Sequence, residues 1–180
     1  MKEMALKTRG KHKPRRPGIL IAGLGNILLK DDGVGVHAVR QLRQTPFSKV
    51  MAVEVGTTVL DALHLLEQAD RILVIDALQA GGTAGTIYSF GLDEIEEGSH
   101  PVSLHEVSFH SALRFFSKPL KSVIRIIGVE PGLIEYGLDL SPAVQNALPR
   151  LLEEVEKIVG QWQLLSEKNE ALLEESPKTS

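Results

Sequence analysis

Two adjacent carboxylates, Asp31 and Asp32, lie in the part of this chain that is richest in residues capable of chemistry. They follow an apolar run at residues 19–23, which predicts a buried β-strand. A third acid, Asp76, ends a second apolar run at residues 71–76. Ligands of parallel sheets bind outside the carboxyl ends of the strands, so we expect Asp32 and Asp76 to meet at one edge of a sheet.

Histidine is the other side chain that can complete such a site. His37 and His64 fall in segments with helical patterns and are predicted to be surface or packing residues. His100, His105 and His110 lie in a long connection after the fourth predicted strand. Residues five apart do not share a face of a helix or of a strand, so at most one of His105 and His110 is expected to join the two acids.

Two carboxylates and one imidazole form a hard-to-borderline ligand set that suits zinc, nickel, manganese or iron. The chain contains no cysteine, which excludes disulfides, zinc–thiolate sites and a thiol nucleophile. Three protein ligands leave open positions on a metal, as is typical of a catalytic or substrate-binding site. Two other uses of the acids stay open: Asp31 or Asp32 can cap the following helix, and Asp32 with Asp76 can form a proton-sharing dyad.

The glycines around the first acids also permit a nucleotide-binding interpretation. Gly23 and Gly25 begin like a dinucleotide fingerprint, but Leu28 stands where the third glycine belongs. The paired acids would in addition repel a pyrophosphate at the helix N-terminus. A nucleotide-binding module is therefore the weaker hypothesis.

Composition limits the classes of partner. The net charge is −3 and aromatic residues make up 4% of the chain, so neither an electrostatic nor a base-stacking surface for nucleic acid is predicted. No apolar run approaches the roughly 20 residues that span a bilayer, and the N-terminus lacks a secretory signal pattern. We predict a cytoplasmic monomer that binds neither nucleic acid nor membrane.

The pattern of elements predicts one α/β domain. Residues 1–17 are basic and are predicted to be a disordered extension, residues 18–165 the folded domain, and residues 166–180 a polar tail. Alternating apolar strands and amphipathic helices predict a three-layer α/β/α fold with a mostly parallel, twisted sheet of about five strands. The predicted strands are 19–23, 50–55, 71–76, 86–90 and 122–129; the predicted helices are 36–42, 59–69, 104–116 and one from Pro142 onwards, with a kink or restart at Pro149.

Residues 23–35, Gly-Leu-Gly-Asn-Ile-Leu-Leu-Lys-Asp-Asp-Gly-Val-Gly, resemble the opening motif of the hydrogenase maturation proteases. These endopeptidases trim the C-terminal extension from the large subunit of nickel–iron hydrogenases. The resemblance extends over residues 19–159. Further matching motifs follow in the family's order: Gly56-Thr57, Ile75-Asp76-Ala77, Ser103-Leu104-His105, Ile127-Gly128-Val129-Glu130-Pro131 and Leu140-Ser141-Pro142-Ala143-Val144.

The resemblance implies a metal-binding trio of Asp32, Asp76 and His105, with Asp32 and Asp76 as the catalytic candidates. It implies that nickel is supplied by the large-subunit precursor, which is the expected partner, and that zinc or cadmium can take its place in vitro. We expect all three side chains to stay out of the hydrophobic core, so that their substitution leaves the fold intact. The alternative on the same scaffold is a nickel-binding maturation chaperone without catalytic activity.

The chain departs from the family's pattern at two places. It has Glu54-Val55-Gly56-Thr57 after the second strand, where the family often has Asp-Gly-Gly-Thr. The second acid of the opening pair, Asp32, is one methylene shorter than the glutamate of some members. That difference changes the reach of the side chain but not the type of ligand.

Overall fold

The computed structural model describes residues 18–91, residue 94 and residues 122–174, with side chains described as far as residue 168. The predicted N-terminal extension at 1–17 lies outside this part of the chain. So do the predicted helix at 104–116, His100, His105 and His110. The division of the chain at residues 17 and 165 stays a prediction.

Five strands form a single sheet: β1 (Ile19–Leu24), β2 (Val50–Gly56), β3 (Arg71–Ala77), β4 (Ile87–Gly91) and β5 (Val123–Val129). Their spatial order is β2-β1-β3-β5-β4. The pairs β1–β2, β1–β3 and β3–β5 are parallel, whereas β4, the outermost strand, runs antiparallel to β5. The prediction of a mostly parallel, five-stranded sheet is confirmed.

Helices cover both faces of this sheet. A 3-10 turn at Lys30–Gly33 leads into helix α1 (Val34–Leu42). The predicted helix at 59–69 is shorter and tighter than expected, because it begins as a 3-10 turn at Val59–Ala62 and only α2 (Leu63–Leu66) is α-helical. Its last amides bond three residues back, as Gln68 does to Leu65 and Ala69 to Leu66, which is typical of a tightened C-terminal turn.

The C-terminal helix α3 (Pro142–Glu174) begins as predicted, with Pro142 in first position and the Ser141 hydroxyl accepting a hydrogen bond from the Val144 amide. Of the predicted kink or restart at Pro149, the restart is wrong, because the helix is continuous through this residue, and the kink stays a prediction. Proline removes one helical hydrogen bond there. Burial of Leu148, Leu151 and Val155 on the same helix offsets that loss.

Alternate residues of the central strands point into two separate cores. In β1, Ile19 and Ile21 pack with α1 and α3, whereas Leu20 and Ala22 pack on the opposite face with the Val59–Leu66 segment. A strand buried on both faces reads as a continuous apolar run, which is why β1 and β3 were visible in the sequence. The result is the predicted three-layer α/β/α arrangement, with the carboxyl ends of β1, β2, β3 and β5 at one edge.

Candidate active site at the carboxyl edge of the sheet

Glycines bring the loop after β1 against the strand ends. Gly25 has a φ of +107°, and a Cβ added there would overlap the carbonyl oxygen of Asp32. A Cβ at Gly35 would overlap the carbonyl oxygens of Ile75 and Leu24, so the first turn of α1 lies directly on the ends of β1 and β3. These glycines allow close packing between the backbone of the loop, the first turn of α1 and the strand ends.

Asp31 fastens one loop to another. Its buried carboxylate accepts hydrogen bonds from the amides of Gly132 and Leu133, both at 2.8 Å, and of Ser141 at 2.6 Å. Burial alone raises the pKa of the Asp31 carboxyl, but the bonds from Ser141, Leu133 and Gly132 together hold the pKa below its ordinary value of 3.8. Asp31 is therefore a charged structural clamp, and no side chain caps α1.

Asp32 is buried beside this clamp and points to a different partner. Its Oδ2 accepts a hydrogen bond of 2.8 Å from the Asn26 amide, at the start of the same loop. This bond fixes the carboxylate against the end of β1. The 3-10 turn that carries Asp32 also contacts β3.

Asp76 lies at the end of the neighbouring strand β3. Ile75, the residue before it, pairs with Gly23 of β1, so Asp76 lies level with the start of the loop that carries Asp32. Its Oδ1 accepts a hydrogen bond of 2.9 Å from the Ala77 amide. Both acids therefore lie at the carboxyl ends of the strands, and their meeting in one site stays a prediction.

The expectation that these acids avoid the interior is wrong. Asp32 retains 8% of its accessible surface and Asp76 retains 3%. Both side chains are packed among the strand ends, where a carboxylate is costly unless it is paired or bonded. Substitutions at either position therefore need a test of folding beside a test of activity.

The histidines divide between described and undescribed parts of the chain. His37 is half-buried on α1, with Nε2 3.1 Å from the Leu138 carbonyl, and desolvation lowers its pKa. His64 is exposed and contacts the Asp61 carbonyl through Nδ1. Both are surface or packing residues, as predicted. His105 lies outside the described residues, and within those residues no group of three possible metal-ligating side chains occurs.

Glu130 is a buried acid that the sequence analysis did not single out. It follows β5 and accepts hydrogen bonds from the Ala80 amide at 2.8 Å, the Gly81 amide at 3.2 Å and the Tyr88 hydroxyl at 3.0 Å. Burial raises the pKa of Glu130, but these bonds outweigh it and keep the pKa below 4.5. The sequence does contain a signal for Glu130, because this acid directly follows an apolar strand, just as Asp76 lies at the end of one.

Glu54 lies near the carboxyl end of β2, the neighbour of β1 on the side away from β3. Its carboxylate binds the guanidinium groups of Arg40 at 3.0 Å and Arg43 at 2.9 Å, which ties α1 to β2. Beside this network lies a cleft of about 430 Å³, bounded by residues 25–28 on one wall and 54–57 on the other. The glutamate that departs from the family's aspartate thus has a structural partner on α1.

Together, the fold and the site define an α/β/α protein with a carboxylate site at the carboxyl edge of a mostly parallel sheet. Residues 36–158 match the model of the hydrogenase maturation protease family. The chain therefore belongs to that family, and it is a peptidase that processes the C-terminal end of a hydrogenase large subunit. In the part of the chain that the structure describes, no helix is long and apolar enough to cross a membrane.

Individual relatives agree with the family match. The chain is 30% identical over 168 residues to the hydrogenase expression/formation protein HupD of Bradyrhizobium diazoefficiens, covering 89% of this chain and 87% of HupD. Its fold is similar to that of the hydrogenase maturating endopeptidase HybD from E. coli, with a TM-score of 0.70, 27% identity, and coverage of 79% and 92% of the two chains. The [NiFe] hydrogenase maturation protease HybD from Thermococcus kodakarensis gives a TM-score of 0.68 at 30% identity, with coverage of 78% and 97%.

Proposed function

We propose that Asp32, Asp76 and His105 bind the nickel of the hydrogenase large-subunit precursor and thereby hold its C-terminal scissile peptide bond at the site. The observation that carries the proposal is a pair of buried carboxylates, Asp76 at the end of β3 and Asp32 in the turn that follows the adjacent strand β1, each of which accepts a hydrogen bond from a backbone amide. The assignment of His105 rests on its motif, Ser103-Leu104-His105.

The donor chemistry fits this role. Carboxylate and imidazole bind nickel, zinc and related divalent ions, so zinc or cadmium is expected to occupy the same trio in vitro. A ligand set completed by the substrate's own nickel would recognise only a precursor into which nickel has been inserted. We propose that the metal belongs to the substrate, and that the protein is a cytoplasmic monomer without nucleic-acid or membrane partners.

In this proposal the first role of the protein is to orient the precursor, and its second role is to assist hydrolysis of the peptide bond. Asp32 and Asp76 hold the nickel-bearing end of the precursor, so that the peptide bond approaches the site in a fixed orientation. The same two carboxylates are the candidates for general base towards the attacking water. Their fixed hydrogen bonds to Asn26 and Ala77 keep them oriented without reorganisation.

The test is cleavage of nickel-loaded and nickel-free precursor, followed by mass spectrometry. Loss of a short C-terminal peptide from the nickel-loaded form alone is expected. Asp32→Asn, Asp76→Asn and His105→Ala are each expected to lower kcat/KM by more than about 100-fold, because each removes a ligand of the substrate metal. Asp70→Asn is the matched control, since Asp70 is exposed before β3 at the opposite edge of the sheet.

Thermal unfolding of each variant separates lost chemistry from lost folding, which matters because Asp32 and Asp76 are buried. Equal cleavage of nickel-free precursor would contradict nickel recognition. Nickel-dependent binding without cleavage by the wild-type chain would favour the chaperone alternative. Full activity of all three variants would remove the site assignment.

A further inference from the structure

An apolar surface lies at the rim of the site. Of the ten large hydrophobic side chains that are exposed among the described residues, five belong to two segments that pair with each other. Exposed apolar side chains that cluster in this way are typical of binding surfaces, whereas scattered ones are ordinary. We call this surface the rim patch; it consists of Leu28, Leu133, Ile134, Tyr136 and Leu138.

Backbone hydrogen bonds hold the two segments of the rim patch together. The Gly137 amide donates to the Leu28 carbonyl, and the Lys30 amide donates to the Gly137 carbonyl, both at 3.0 Å. Tyr136 and Leu138 flank Gly137, so they are carried directly beside Leu28. The side chain of Lys30 reaches Glu135 at 2.6 Å and adds a charged pair to the same segment.

The rim patch is also fixed relative to the site. The Asp31 carboxylate clamps the loop at both ends, through Gly132 and Leu133 on one side and Ser141 on the other. Asp32 follows Asp31 directly, so their Cα atoms are about 3.8 Å apart. A loop that is already ordered loses little conformational entropy when a partner binds it.

We infer that the rim patch is the surface on which the hydrogenase large-subunit precursor docks, with an apolar surface of the precursor covering Tyr136 and Leu138. This inference rests on the proposed function, because the proposed metal ligand Asp32 directly follows Asp31, whose carboxylate clamps the loop that carries the rim patch. Leu28 also lines the cleft of about 430 Å³ towards β2, so the rim patch adjoins that cleft. Such an extent suits a folded protein.

Tyr136 is the anchor of this surface. It is 89% exposed, more than any other large hydrophobic side chain of the described residues. Tyrosine is over-represented among the residues that dominate binding energy, because it buries a large area with few rotatable bonds. Leu138, 61% exposed, lies two residues further along the same loop.

The test compares Tyr136→Ser and Leu138→Ser with Leu164→Ser, using the full chain and nickel-loaded precursor. Leu164 is a matched control because it is 60% exposed but lies on α3 beside Gln163, whose side chain binds Ser48 at the opposite edge. Each rim-patch variant is expected to raise the KM for the precursor and the Kd of the complex about tenfold or more, with kcat within about twofold. Leu164→Ser is expected to change neither.

Unchanged KM and Kd in both rim-patch variants would overturn the inference. A fall in kcat alone would also overturn it, because that result places the loop in the chemical step. If the wild-type chain binds precursor without cleaving it, the proposed function fails, and the Kd comparison still decides the docking surface. A wild-type dimer that Leu138→Ser converts to monomer would assign the surface to a second copy of the chain.

Discussion

The two edges of the sheet handle charge differently. Within the described residues, all four buried acids, Asp31, Asp32, Asp76 and Glu130, lie at the carboxyl edge. At the opposite edge, where the parallel strands begin, the comparable acid Asp70 is exposed. This edge is covered by packing, with the Arg71 guanidinium 5.8 Å from the centre of the Trp162 ring.

The difference shows what each edge requires. Burying a carboxylate is costly unless donors surround it, and the carboxyl edge supplies backbone amides from loops and turns that the strands leave there. Two of the acids, Asp31 and Glu130, use those amides to hold the surrounding loops. The other two, Asp32 and Asp76, accept hydrogen bonds from the amides of Asn26 and Ala77 and are the pair proposed to act on substrate.

The largest effect on stability is expected from Asp31→Asn. Asparagine keeps the shape of the side chain, but its NH2 group opposes amides that now donate to a carboxylate oxygen. We expect the free energy of unfolding to fall by about 2–5 kcal/mol, measured by urea denaturation. The same change at Asp70, on the other edge, should stay within about 0.5 kcal/mol. Equal losses would show that the edges do not differ.

Glu130→Gln is expected to have an intermediate effect. Glutamine can still accept from Ala80 or Gly81, so the free energy of unfolding should fall by about 1–3 kcal/mol at pH 7. The turn it holds follows β3 and Asp76, so precursor cleavage should fall as well. A variant with wild-type stability and activity would contradict the role of Glu130 as a clamp.

Acid should weaken the carboxyl edge before the rest of the fold. The pKa values of Asp31 and Glu130 lie below the ordinary 3.8 and 4.5, so both groups stabilise the folded state above those values. That contribution is lost as the pH falls through the lowered pKa values, because protons then favour the unfolded chain. Urea titrations between pH 7 and pH 2 should show a shallower acid slope in Glu130→Gln than in the wild type. An identical slope would contradict the clamp.

The smallest effect is expected at Glu54. Its bonds to Arg40 and Arg43 are partly exposed, and exposed ion pairs contribute less than about 1 kcal/mol. Glu54→Gln should lower the free energy of unfolding by less than that, and added salt should shrink the difference. If Glu54→Gln lowered the free energy of unfolding as much as Asp31→Asn, the partly exposed ion pairs of Glu54 would contribute as much stability as the buried carboxylate of Asp31.

Most of the fold was accessible from the sequence, but less of the site. The apolar runs located β1 and β3 to within a residue, since strands buried on both faces leave a continuous signal. The segment at 59–69 was misjudged because a 3-10 turn and a short α-helix share the same apolar spacing. Whether α3 restarts at Pro149 or continues through it was left open by the sequence, because packing, rather than local propensity, decides it.

The burial of Asp32 and Asp76 was also missed. Local patterns show an acid after a strand, but they do not show that the loop and the first turn of α1 fold back over it. Gly25 and Gly35 allow that approach, and their role becomes visible only when the backbones they contact are known. The part of His105 in the site stays a prediction from its motif.

The sequence by itself determined the layered fold, the strand ends that carry acids, and the family motifs, because each is written in residues near one another along the chain. Only the tertiary structure decided which of Asp31 and Asp32 clamps a loop. The amides that donate to the Asp31 carboxylate, at Gly132, Leu133 and Ser141, are 101 to 110 residues away in the chain. Two neighbouring aspartates are chemically identical, and their difference arises from the donors that folding brings to each.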